Sequence, residues 1–121
     1  MTVATFRRIA LGMEGATEGA HMNHPDFRAN GKIFASINED HTRGTVKLTP
    51  EQQERFVREY PAMFQPAAGS WGRQGYTLVD LKAAEAEAVG EAMTLAWQNL
   101  SRQVARKTSG RPKAAKTRPR T

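Results

Sequence analysis

The chain has no cysteine, which excludes disulfides, thiol nucleophiles and thiolate metal sites together. No apolar run approaches the roughly 20 residues that a membrane-spanning helix requires. The opening residues, Met1 to Arg8, lack a basic segment followed by an apolar stretch, so no secretory signal is expected and cytoplasmic residence follows as the default. Aromatic residues are sparse at 7%. Ser36 and Ser70 have no nucleophile motif around them, and Glu85, Glu87 and Glu91 fall on a solvated helix surface. No catalytic residue, cofactor or metal is therefore assigned, and the chain is expected not to be an enzyme. Acidic residues are missing from one stretch altogether. Arg106 to Thr121 carries Arg106, Lys107, Arg111, Lys113, Lys116, Arg118 and Arg120 with no acid, whereas the first 105 residues hold 11 basic against 12 acidic side chains. The net charge of +6 is thus a property of the C-terminal segment.

What the chain does contain is a single domain's worth of patterned sequence, 121 residues with 39% hydrophobic and 25% charged side chains, as in globular proteins. Phe6, Ile9, Ala10 and Met13 recur at helical spacing, predicting an amphipathic helix over Thr2 to Met13. Ala20 to Asn23 is a candidate strand. Pro25 to Ile37 reads as two strands folded about Asn30-Gly31, a strong hairpin signal, and Thr45 to Leu48 as a third strand after a polar loop. Alternation in Lys32 to Ile37 places Ile33, Ala35 and Ile37 on one sheet face and Lys32, Phe34 and Ser36 on the other. Thr49-Pro50-Glu51-Gln52 is a helix start, with a Thr N-cap, Pro at the first position and Gln completing a capping box. That helix should run to Tyr60, burying Phe56, Val57 and Tyr60.

A loop over Ala62 to Gly75 should precede a strand over Tyr76 to Leu81. From about Ala83 to about Ala105 a long helix carries the apolar stripe Val89, Met93, Ala96, Trp97, Leu100 and Val104. The predicted core unites Phe6, Ile9, Phe56, Val57, Leu78, Val89, Met93 and Trp97. This order of elements predicts an α+β domain over residues 1–105, with an antiparallel sheet packed against helices in two layers. Residues 106–121 have no apolar anchor to offset an ordering entropy of about 1–2 kcal/mol per residue, so a disordered basic tail is expected.

Pro-Asp-Phe-Arg-Ala-Asn-Gly-Lys-Ile-Phe-Ala at 25–35, Val-Lys-Leu-Thr-Pro-Glu at 46–51 and Trp-Gly-Arg-Gln-Gly-Tyr-Thr-Leu-Val at 71–79 occur in an order and spacing that resemble the MmcQ/YjbR family of small bacterial proteins. Phe6 to Leu11 and Ala96-Trp97 also fit, so the resemblance spans roughly residues 3–102 and leaves the basic tail outside it. Tyr76 stands where the family usually has Trp. The resemblance implies an α+β fold of the CyaY-like or double-wing type, and DNA binding.

His21 and His24, with Glu18 and Asp26 nearby, have ligand chemistry for zinc or iron, but in an extended segment positions 21 and 24 point to opposite faces. Surface or satisfied histidines are the simpler reading. Gly69, Gly72 and Gly75 with Arg73 suggest backbone amides near a phosphate, yet the spacing matches no nucleotide-binding loop and a glycine-rich lead-in to a hairpin is commoner. Trp71 either caps the core or forms a stacking platform, capping being the commoner role.

The basic tail suits phosphate binding, because Lys and Arg release condensed counterions without reading sequence; a solubilising extension is its plainer alternative. Arg28, Lys32, Lys47 and Arg73 would extend a positive sheet face that Glu18, Asp26, Glu39 and Asp40 dilute. The expected function is weak, largely sequence-independent nucleic-acid binding through Arg106, Lys107, Arg111, Lys113, Lys116, Arg118 and Arg120, joined by Lys32, Arg73 and Trp71. Two alternatives stand beside it: a protein-interaction module, and a small-ligand domain around Trp71 and Arg73.

Overall fold

Asn30 and Gly31 both adopt positive φ, 54° and 75°, the pairing that a two-residue hairpin turn with the right twist demands. They join β2 (His24–Ala29) to β3 (Lys32–Ile37). The computed structural model describes residues 1–21 and 24–109, and the side chains of residues 1–20 and 24–100 among them. Around this hairpin forms an antiparallel six-stranded sheet in the order β1-β2-β3-β4-β6-β5, with β1 at Thr17–His21, β4 at Arg43–Lys47, β5 at Phe64–Pro66 and β6 at Tyr76–Asp80. The first strand therefore begins three residues before the expected Ala20. Helices α1 (Val3–Leu11), α2 (Pro50–Glu59) and α4 (Ala86–Ser109) cover one face, and a one-turn helix, α3 (Gly69–Arg73), precedes β6. The molecule is the expected α+β type.

The helix starts are locally encoded. Thr2 Oγ1 accepts the Thr5 amide at the head of α1. The capping box of α2 is complete: the Gln52 amide donates to Thr49 Oγ1 at 3.1 Å and the Thr49 amide to Gln52 Oε1 at 3.0 Å, together worth about 1 kcal/mol or more. Gln52 Oε1 also accepts Asn99 Nδ2 at 2.8 Å, which ties the cap to α4. Helix α4 starts near Ala86 rather than Ala83 and continues to Ser109, four residues past its expected end. The backbone of Arg106 and Lys107 is thus helical, while Arg111, Lys113, Lys116, Arg118 and Arg120 lie outside the described residues.

The inner layer is aromatic and aliphatic: Phe6, Phe27, Phe34, Phe56, Phe64, Ile37, Val46, Val79, Val89 and Met93 are fully buried, and each large apolar side chain so removed from water contributes about 1.5–3 kcal/mol. Phe64 packs on Phe56 at a centroid distance of 5.1 Å, so the expected loop after Ala62 instead supplies the edge strand β5, paired with β6 through Phe64 and Val79.

Two face assignments are corrected. A β-bulge between Phe27 and Arg28 pairs Phe27 with Ala35 but Arg28 with Ile33. The extra residue, Phe34, turns into the core beside Ala35, and Ile33 turns out; strict alternation fails because a bulge places two consecutive side chains on one face. Leu78 lies opposite Thr45 on the outer face, and Thr77 and Val79 take the buried positions. Ile9, Val57, Tyr60 and Trp97 pack at the core's margin, half-buried; the Trp97 indole N–H donates to the Glu14 carbonyl at 2.9 Å, which holds its polar edge outward. No helix among the described residues is long and apolar enough to cross a membrane.

Candidate nucleic-acid interface

With α1, α2 and α4 on one face, no long helix among the described residues covers the other side of the sheet. Cross-strand register puts Ser36, Thr45, Lys47 and Tyr76 on that outer face, Ser36 opposite Thr45 and Lys47 opposite Tyr76. Ile33 joins them because of the bulge. Together with Trp71 they line a groove of about 220 Å³. Trp71 is 59% exposed and Ile33 39%, so the capping role expected for Trp71 does not hold. Its ring meets Tyr76 edge-on, with centroids 5.0 Å apart and an interplanar angle of 85°, the arrangement that aromatic quadrupoles favour. Lys47 Nζ stands 5.0 Å from the Tyr76 centroid, within cation–π range.

Trp71 is turned outward by the packing of its own short helix. A Cβ at the buried Gly72 would overlap the Ala67 carbonyl, so this face of α3 fits closely against the preceding chain and the next residue back, Trp71, faces away. Gln53 Nε2 from α2 donates to the Gly72 carbonyl at 3.0 Å and to the Tyr76 carbonyl at 2.9 Å, fixing α3 against β6. Gly75 holds φ at +108°, and a Cβ there would overlap the Leu48 carbonyl; the Leu48 amide in turn donates to the Gly75 carbonyl at 3.1 Å. The glycines at 69–75 therefore shape a tight lead-in to β6, the commoner of their two expected roles.

Charge at this face is sparse and directional. Arg28 on the outer face is engaged by Asp26 through two hydrogen bonds, of 2.7 and 3.0 Å, the carboxylate being fully buried. That hydrogen bonding first, and the carboxylate's charge second, raise the guanidinium's pKa above its ordinary value. A side chain at Gly19 would crowd this pair, its Cβ lying 3.1 Å from Asp26 Oδ1. Arg7 likewise engages Glu18 at 3.0 Å. None of the acids expected to dilute the face borders the groove; among the described residues it is lined by one cation, Lys47, and no carboxylate.

Of the body residues expected to bind nucleic acid, Trp71 lines the groove and two do not. Lys32 pairs with Ala29, a core residue, which puts it on the helix side, and Arg73 is exposed at the end of α3 without bordering the groove. Lys47 and Tyr76 are the contributions that residue-type reasoning underweights; the alternation Thr45-Val46-Lys47 is the available signal. His24 sits elsewhere, beside Asn38, Glu39 and Asp40. Among the described residues no three of His, Asp and Glu gather as a metal site.

Helix α4, on the sheet face opposite the groove, leads to the basic segment. It crosses the sheet from the end at Leu81 to the end at Lys47, where Asn99 Nδ2 meets the Lys47 carbonyl at 3.4 Å. It then continues ten residues to Ser109, about 15 Å of helix.

These features define a class, a small α+β protein with helices on one side of an antiparallel sheet and an aromatic groove on the other. The model of the YjbR family matches residues 11–99, and the chain belongs to this family, also called MmcQ/YjbR. The crystal structure of Deinococcus radiodurans protein DR2400, with a domain designated DUF419, is similar over 92% of this chain and 89% of that one, at a TM-score of 0.71 and 19% identity; this likeness establishes the fold. No curated protein matches the chain.

Proposed function

We propose that this protein binds nucleic acid weakly and with little sequence preference, its C-terminal cations meeting phosphates and its open sheet face adding a second contact. The observation that carries this reading is charge segregation: seven of the 18 basic residues fall in the last 16 positions with no acid among them, and the helix leading into that stretch meets the Lys47 backbone from the other face of the sheet. The first 105 residues have a slight acidic excess, so attraction to a polyanion must come chiefly from the last 16 residues. Such contacts release counterions and carry no base readout.

Removal of residues 110–121 tests this directly. It deletes Arg111, Lys113, Lys116, Arg118 and Arg120 and leaves α4 whole. Duplex affinity should fall for all sequences alike, and the slope of log K against log salt should flatten by up to about 4.5, at about 0.9 for each phosphate no longer neutralised. An unchanged slope and affinity would refute the role of the segment. A protein-docking role for the same face is favoured by the exposed Ile33 and Trp71; it requires a partner retained after nuclease treatment and at high salt.

A further inference from the structure

Resting on that reading, we propose that the groove lined by Ile33, Ser36, Thr45, Lys47, Trp71 and Tyr76 takes an unpaired nucleobase, so that the protein prefers single-stranded to duplex nucleic acid. At about 220 Å³ the groove falls below the roughly 300 Å³ at which enclosing small-molecule pockets begin, and suits one planar ring. Trp71, 59% exposed and held edge-on to Tyr76, keeps a large part of its indole surface available for a ring to stack. Only an unstacked base can present its π-face to that surface, since in a duplex the faces are covered by neighbouring base pairs and only the edges are accessible.

The charges match the same occupant. Lys47 Nζ, 5.0 Å from the Tyr76 centroid, stands where the phosphate flanking a stacked base would pass, and no carboxylate among the described residues lines the groove to repel it. The Ser36 and Thr45 hydroxyls, opposite one another on the floor, offer donors and acceptors tolerant of any base edge. The same charge argues against the chain's own C-terminal segment as occupant, because its cations would meet Lys47.

The test uses the full chain, a labelled oligothymidylate of about 12 nucleotides and a mixed-sequence duplex of equal length, with affinities read by fluorescence anisotropy at low salt. The expected result is tighter binding of the single strand. Trp71→Ala should weaken single-strand binding about 5- to 150-fold, the loss of one base stack, and weaken duplex binding by a clearly smaller factor, because a duplex offers the indole no free base face and is held chiefly through its phosphates. Trp71→Phe, which keeps a ring, should retain most of the preference. If both forms bind with equal affinity, or Trp71→Ala weakens both alike or neither, the base-binding groove is refuted while charge-driven binding stands. If neither form binds, both readings fail; a Trp71-dependent change in sedimentation would then assign the face to a second copy of the chain.

Discussion

Helix α1 is seated on the sheet in part by a close approach of Phe6 to Gly44. A Cβ added at Gly44 would lie 2.5 Å from Phe6 Cζ and 2.6 Å from Cε1, where carbon atoms are at their optimum near 3.5–4.0 Å. The ring must retreat by about 1 Å, and it is fully buried beside Phe27, with centroids 6.3 Å apart. Gly44→Ala should therefore destabilise by about 1–3 kcal/mol through overpacking. Phe6→Ala alone should lose about 3–5 kcal/mol as a cavity. In that background the methyl group at position 44 has room, and Ala exceeds Gly in a strand by about 0.5–1 kcal/mol, so the second substitution should become neutral or stabilising. The double-mutant cycle then has a coupling of about 1.5–4 kcal/mol. Urea unfolding with an unchanged m-value measures it. Additivity within about 0.5 kcal/mol would show that Phe6 and Gly44 do not share this space.

Gly75→Ala combines a positive φ of +108° with overlap on the Leu48 carbonyl, so it should destabilise by more than about 3 kcal/mol; a near-native unfolding midpoint would show that the lead-in to β6 can relax. Asp40 has its pKa held below the ordinary carboxylate value, first by the Thr42 hydroxyl, at 2.7 Å, and then by the Thr42 amide. A depressed folded-state pKa contributes stability above the unfolded value and loses it as pH falls through the folded one. Thr42→Val should accordingly raise the Asp40 pKa in a carbon-detected NMR titration and shrink the stability difference between pH 6 and pH 2; no movement of Asp40 would sink the assignment.

Much of the fold is legible in the sequence because it is encoded within a few residues. Asn30-Gly31 satisfies a turn that needs two positive φ values, Thr49 to Gln52 cap their own helix, and the stripe from Val89 to Leu100 repeats with the helical period. Each of these is decided by neighbours in sequence. The edge strand β5 is not legible, since three residues have no period to read and Phe64 is placed by Phe56 and Val79. The site is legible only in pieces: Trp71 stands out as a bulky aromatic in a glycine-rich stretch, but whether it caps the core or faces outward depends on Gly72 packing against Ala67.

By itself, the sequence determined the α+β class, the hairpin, the helix starts and the segregation of positive charge into the last 16 residues, all of which follow from composition, local hydrogen bonding and short-range periodicity. Tertiary structure alone decided which side chains share the open face. The bulge opposite Phe27 exchanges Ile33 for Phe34, and strand order brings residues 33–36, 45–47 and 71–76 to one groove. Such juxtapositions are set by long-range strand pairing and by which surfaces the helices bury, energies that no window of neighbouring residues contains.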